Sequence, residues 1–154
     1  MNTPRTLTAL LAATATLSLA ACGAGSSSSA QMMSKDAYIT KADAMCLKAS
    51  KAEDAIPQPQ SSAQLAGYVR RVYALERGVV VHLRALRPPA GDSATIERML
   101  DSVDRALAFE SDVEQATRTG NQSQINDAQA RGAKYLNRAS TIASRYGFTE
   151  CGNT

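Results

Sequence analysis

Few side chains in this sequence could do chemistry: there is one histidine, His82, and there are three cysteines, at positions 22, 46 and 151. A nucleophilic triad needs a base that is held by an acid, and no acidic residue lies at helical spacing from His82. A di-iron bundle needs paired Glu-x-x-His motifs, and covalent haem needs C-x-x-C-H. Non-covalent haem on His82 is the sharpest alternative, but Gly78 and Leu86, one turn away on either side, give no sign of a pocket. We therefore expect no enzyme, no metal site and no cofactor.

Cys22 ends a stretch that is built like a secretory signal. Arg5 supplies a positive charge, and residues 7–19 form an apolar run of thirteen residues, which is shorter than the roughly 20 residues that span a bilayer. Leu19-Ala20-Ala21 precede Cys22, and Gly and Ser dominate residues 23–29. This order resembles a bacterial lipobox, which implies that Cys22 is lipidated and becomes the membrane-anchored N-terminus. A plain signal peptide with an incidental cysteine is the alternative.

These features divide the chain into a signal peptide over residues 1–21, a flexible tether over 22–33 and one domain over 34–154. The formal charge is +3, and the signal segment holds one arginine and no acid, so the mature chain carries +3 − 1 = +2. That charge is too weak to indicate nucleic-acid binding, and no basic stripe alternates with aromatic residues. We expect an extracytoplasmic protein that is attached to the membrane through the lipid on Cys22.

Apolar residues that recur every three or four positions predict four helices, which run from Ser34 to about Ala55, from Ser61 or Ser62 to about Leu86, from about Ala94 to Thr119, and from about Gln124 to Tyr146. The second helix has the strongest stripe, formed by Leu65, Tyr68, Val72, Leu75, Val79, Leu83 and Leu86. On the first helix, Lys41, Asp43, Lys48 and Lys51 fall off the apolar face and are expected to be solvated. Short loops between long helices predict an all-α, up-down-up-down four-helix bundle.

Charge also distinguishes the second helix from the third. The second helix carries Arg70, Arg71, Arg77, Arg84 and Arg87 against a single acid, Glu76. The third carries Glu97, Asp101, Asp104, Glu110, Asp112 and Glu114 against three arginines. Neighbouring helices of opposite sign attract each other, although an exposed pair contributes only about 0–1 kcal/mol. A solvated charged face on each helix is the alternative.

Two cysteines remain once Cys22 carries a lipid. Outside the cytoplasm such a pair usually forms a disulfide, and we predict Cys46–Cys151. In this topology the fourth helix ends beside the start of the first, and Cys46 lies about 18 Å further along the first helix. Cys151 follows Tyr146 by five residues, a reach of about 16 Å when extended. A tail that turns back at Gly147 can therefore join the first helix through the disulfide.

Three short motifs carry a wider resemblance. They are Asp43-Ala44-Met45-Cys46, the Leu-Arg-Ala-Leu-Arg-Pro-Pro segment over 83–89, and Tyr146-Gly147-Phe148 followed by Cys151-Gly152. Together they resemble small helical lipoproteins found especially in high-GC Gram-positive bacteria, which carry one cysteine in the first helix and one in a Tyr-Gly-x-x-x-Cys-Gly tail. The resemblance spans most of the mature chain. It supports the fold and the disulfide, and it implies no activity.

Tyr73 lies off the main stripe of the second helix, with Arg70 and Arg77 at helical spacing. An exposed tyrosine with arginine neighbours is typical of a protein-contact patch; a tyrosine in a broad core stripe is the alternative.

We expect a non-enzymatic envelope lipoprotein whose bundle contacts another protein or the cell wall. The alternative is a carrier that binds a small apolar ligand between the helices, which a pocket of about 300 Å³ or more along the second helix would favour.

Overall fold

The computed structural model describes residues 33–152, apart from the side chain of Ser62, and the regular secondary structure there is α-helical. The helices are α1 (Lys35–Asp54), α2 (Ser62–Ala85), α3 (Ser93–Leu107), α4 (Glu110–Thr119) and α5 (Gln122–Tyr146). Among the residues that the structure describes, no helix is both long enough and apolar enough to cross a bilayer. The predicted signal peptide (1–21), Cys22 and the predicted tether (22–33) except Met33 lie outside the described residues.

The predicted fold class is confirmed: the helices form an up-down-up-down four-helix bundle with a disulfide-linked C-terminal tail. The third helix of the bundle consists of α3 and α4. We predicted one continuous helix there, whereas the structure has an interruption at Ala108 and Phe109. The Phe109 amide donates to the Ala106 carbonyl at 3.1 Å, which is a tighter i→i+3 turn. Residues two apart lie on opposite sides of a regular helix, and this turn allows both Leu107 and Phe109 to face the bundle interior.

Local sequence accounts for the helix ends. Ser34 caps α1 by accepting a hydrogen bond from the Ala37 amide, as its side-chain chemistry predicts. Asn121 caps α5 in the same way, so α5 begins at Gln122, two residues before the predicted start. Gly147 ends α5 with φ of 112°, a left-handed conformation that glycine adopts without strain.

An aromatic cluster in the core joins the start of α1 to the end of α5. Tyr38 is fully buried, and its ring centroid lies 6.3 Å from that of Tyr146 and 6.1 Å from that of Phe148. Gly147 makes this packing possible, because it turns the chain so that the Phe148 amide donates back to the Ala143 carbonyl. A Cβ on Gly147 would also lie 3.3 Å from the Ile39 side chain. The tail is therefore part of the core.

Candidate functional site

The strong apolar stripe of α2 is covered unevenly by the rest of the bundle. Val80 and Leu83, towards the end of α2, are buried, whereas Val69, Val72 and Tyr73 are half-buried. Beside these three residues lies a cleft of about 280 Å³. Its walls come from α1, α2, the junction of α3 with α4, and α5, and its lining residues are Glu53, Tyr68, Val69, Val72, Tyr73, Glu76, Ala106, Leu107, Phe109, Val113, Ala128, Gln129, Gly132, Ala133 and Leu136.

Small residues on α5 form part of the cleft wall. Ala128 and Gly132 are four residues apart and so share one face of the helix, and Ala133 adjoins them in the lining. A Cβ on Gly132 would lie 3.6 Å from the Ala106 carbonyl oxygen and 3.9 Å from Phe109 Cδ2, which are ordinary contacts. The lining thus combines small side chains from α5 with larger ones from α2.

The cleft carries negative charge on a largely apolar lining. Glu76 on α2 is half-buried and lines the cleft together with Glu53 from the end of α1. Burial raises the pKa of Glu76 to about 7, and the charge of Glu53 adds to the effect. Burial and the neighbouring Glu76 also raise the pKa of Tyr73. Neither glutamate forms an ion pair with any residue in the described part of the chain.

Glu76 was missed as a site residue, although the sequence contains a signal for it. It is the single acid of α2, and it lies four residues from both Val72 and Val80. That spacing places it on the apolar side of the helix rather than on the basic side. A lone carboxylate on an apolar stripe is unusual, because burial of a charge is costly unless the charge is paired.

Each of the three residues of the predicted contact patch interacts with other residues of the same chain. Tyr73 is half-buried and lines the cleft. Arg70 Nε lies 3.7 Å from a carboxylate oxygen of Glu114, and the Arg77 guanidinium pairs with the buried carboxylate of Glu110. A contact between this patch and another protein stays a prediction, and it would compete with these interactions.

The opposite charges of the second and third helices do meet in the bundle. Arg84, seven residues beyond Arg77, donates to Glu97 at 2.7 Å, to Asp101 at 3.1 Å and to Asp104 at 2.5 Å. Together with Arg70 and Arg77, Arg84 forms a row of arginines at a spacing of seven residues along α2, and this row faces the acids of α3 and α4. The predicted pairing is confirmed, since this side of α2 pairs with acids of both α3 and α4.

The predicted disulfide is confirmed, since Cys46 and Cys151 are bonded with their Cα atoms 5.3 Å apart.

Asp43 lies near this disulfide. The expectation that it is solvated is wrong, because Asp43 is only 9% exposed. Its carboxylate accepts hydrogen bonds from the amides of Thr149, Glu150 and Cys151, each at 3.0 Å, and from the Thr149 hydroxyl at 2.9 Å. Burial alone would raise the pKa of Asp43, but these hydrogen bonds outweigh it, so the pKa lies below its ordinary value. No pattern in the sequence indicates this contact, because most of the donors are backbone amides of the distant tail.

The lining of the cleft is suited to binding a small molecule. Its apolar walls can exclude water from a small molecule, and its two carboxylates attract positive charge. His82 is exposed, and within residues 33–152 no group of three or more His, Cys, Asp or Glu side chains is arranged to hold a metal ion. No family model matches the chain, and comparisons with curated proteins and with solved structures found no similar protein.

Proposed function

We propose that the protein is a non-enzymatic lipoprotein of the cell envelope, anchored through a lipid on Cys22, and that its helical bundle binds a small ligand in the cleft beside α2. The observation that carries the binding role is the cleft itself. Its volume of about 280 Å³ is close to the lower end of ligand pockets, which span about 300–1,000 Å³. All five described helices contribute to its walls, as expected for a site built in the core of a bundle.

The geometry favours this role over contact with another protein or the cell wall. A contact patch needs side chains that are free to meet a partner, and desolvated aromatic and arginine anchors supply most of the affinity. Arg70 and Arg77 are engaged with acids of α4, and the Tyr73 ring belongs to the cleft wall. Binding a small molecule requires none of these interactions to break.

Native mass spectrometry of the lipidated protein, extracted gently from its own membranes, tests the binding role. We expect a reproducible small added mass on the wild-type protein. Val72→Phe should remove that mass, because a ring at this position fills the cleft. Val81→Phe is the matched control on the same helix, since Val81 is 64% exposed and does not line the cleft. A bare lipidated wild-type chain, or an added mass that survives Val72→Phe, contradicts the proposal.

The same spectrum tests the anchor. We expect the mature chain to begin at Cys22 and to carry an acyl modification there. Cys22→Ala should leave the chain uncut and unacylated, whereas Ser26→Ala, four residues further on, should be processed normally. Cleavage at another position without acylation would refute the anchor and leave the cleft hypothesis standing.

A further inference from the structure

The cleft combines apolar walls with charge of one sign. Glu53 and Glu76 both line it, while no lysine, arginine or histidine belongs to its described lining. The nearest arginines on α2 are directed elsewhere, since Arg70 and Arg77 contact Glu114 and Glu110. Two carboxylates that share an apolar space without a cation repel each other and lose hydration.

We propose that the ligand of this cleft is a small amphipathic organic cation, an amine whose apolar body lies against the α2 and α5 walls and whose ammonium group contacts Glu76 and Glu53. This inference rests on the proposed function and assigns it a ligand class. Neither glutamate is paired with a cation in the described part of the chain, and an ammonium group of the ligand would supply that partner. Charge-assisted hydrogen bonds of this kind are about twice as strong as neutral ones.

The remaining lining supports the same class. Val69, Val72, Leu107 and Leu136 offer aliphatic surface to the ligand body. The rings of aromatic lining residues add to the attraction, because a cation near an aromatic ring is stabilised by the ring quadrupole. The volume restricts the ligand to molecules smaller than most drug-sized compounds, so a compact amine fits and a lipid with two acyl chains does not.

The affinity should depend on pH in a defined direction. The titratable groups in the cleft lining are Glu53 from α1 and Tyr68, Tyr73 and Glu76 from α2, while the lining of α3, α4 and α5 contributes none. Because the pKa of Glu76 is about 7, its carboxyl group is largely protonated at pH 5.5 and ionised at pH 8.5. Amine binding should therefore strengthen over this interval, and binding of a neutral analogue should not.

Isothermal titration calorimetry of the lipidated protein in phosphatidylcholine nanodiscs tests the inference, with empty nanodiscs as the blank. The probes are phenethylamine and 2-phenylethanol, which share a skeleton and differ in an ammonium against a hydroxyl group. At pH 8.5 we expect phenethylamine to bind the wild-type protein about tenfold or more tightly than 2-phenylethanol, as a hydrogen bond to a charged group implies.

Glu76→Gln isolates the charge while keeping the side-chain shape. We expect it to weaken phenethylamine binding by about 10- to 100-fold, to leave 2-phenylethanol binding unchanged and to abolish the pH dependence. Glu150→Gln removes the same charge from an exposed residue outside the cleft, and it should bind like the wild type. Circular dichroism establishes that each variant is folded.

The outcomes separate the two proposals. If the wild-type protein prefers phenethylamine and Glu76→Gln loses that preference, both proposals are supported. Equal binding of the two probes, with no effect of Glu76→Gln, overturns the assignment of a cation and leaves a neutral-ligand cleft. Binding of neither probe, together with a bare native mass spectrum, overturns the binding role as well.

Discussion

Glu76→Gln should stabilise the ligand-free protein at alkaline pH. Since the pKa of this carboxyl group is about 7 in the folded chain, the folded state holds a proton that the unfolded state releases at lower pH. Between about pH 4.5 and 7 the folded protein therefore binds more protons than the unfolded chain, and the free energy of unfolding falls as the pH rises. Above pH 7 the full penalty for an ionised Glu76 is present.

The size of the effect follows from the shift. The pKa of Glu76 rises from 4.5 to about 7. At 1.36 kcal/mol for each pKa unit, this shift corresponds to about 3 kcal/mol in the free energy of unfolding. Because the side chain is half-buried and water reaches part of it, we expect about 1–3 kcal/mol in practice. Glutamine has the shape of the protonated acid, so the variant should match the wild type at pH 5 and exceed it at pH 8.

Urea unfolding of the full chain, followed by circular dichroism at pH 5 and pH 8, measures this difference. Glu150→Gln is the control, and its free energy of unfolding should stay within about 0.5 kcal/mol of the wild type at both pH values. Equal effects of Glu76→Gln at the two pH values, or a loss of stability at pH 8, would refute the assignment of Glu76 to a desolvated site. A gain in stability that accompanies a loss of amine affinity is the trade-off expected of a binding residue.

Three further variants test the bundle itself. Replacing Cys46 and Cys151 by alanine should lower the free energy of unfolding by about 4–5 kcal/mol, the chain-entropy value for a loop of this size, and urea unfolding of the oxidised wild type against the double variant measures it. Asp43→Asn should cost about 2–3 kcal/mol at pH 7 because buried donors lose a charged acceptor, and the difference should shrink as acid titrates Asp43 in the wild type. Arg84→Ala should cost about 1 kcal/mol, and thermal unfolding should show that 1 M salt reduces this cost; a salt-independent loss would contradict an ionic origin.

The helices and the disulfide could be predicted because each depends on local pattern or on simple counting. Apolar residues at a spacing of three and four mark one face of a helix, and glycine and proline mark its ends. If Cys22 is set aside as the expected lipidation site, the two remaining cysteines have one possible intramolecular pairing, and the structure has it. The break at Phe109 escaped this reasoning, because a single tightened turn leaves no signal in a pattern that continues on both sides of it.

The cleft and the role of Asp43 depend on information that a one-dimensional pattern does not hold. Periodicity identifies which side of α2 faces inward, but it does not show which residues of the other helices lie opposite that side or that a cleft remains between them. In the same way, the helical periodicity of α1 predicts that Asp43 is exposed. Its partners are backbone amides more than a hundred residues later in the sequence, and every sequence has such amides.

The attachment of α1 to the C-terminal tail determines when the domain can be completed during synthesis. Among the described helices α1 emerges first from the ribosome, whereas the residues at 149–151 that contact its Asp43 and Cys46 emerge only after α5. Until then the ring of Tyr38 lacks Phe148, one of the side chains that bury it. A chain that stops before residue 148 contains the five described helices but lacks Phe148, the disulfide and the hydrogen bonds that tie α1 to the segment after α5. The attachment of α1 must therefore wait until the segment around residues 148–151 has been synthesised.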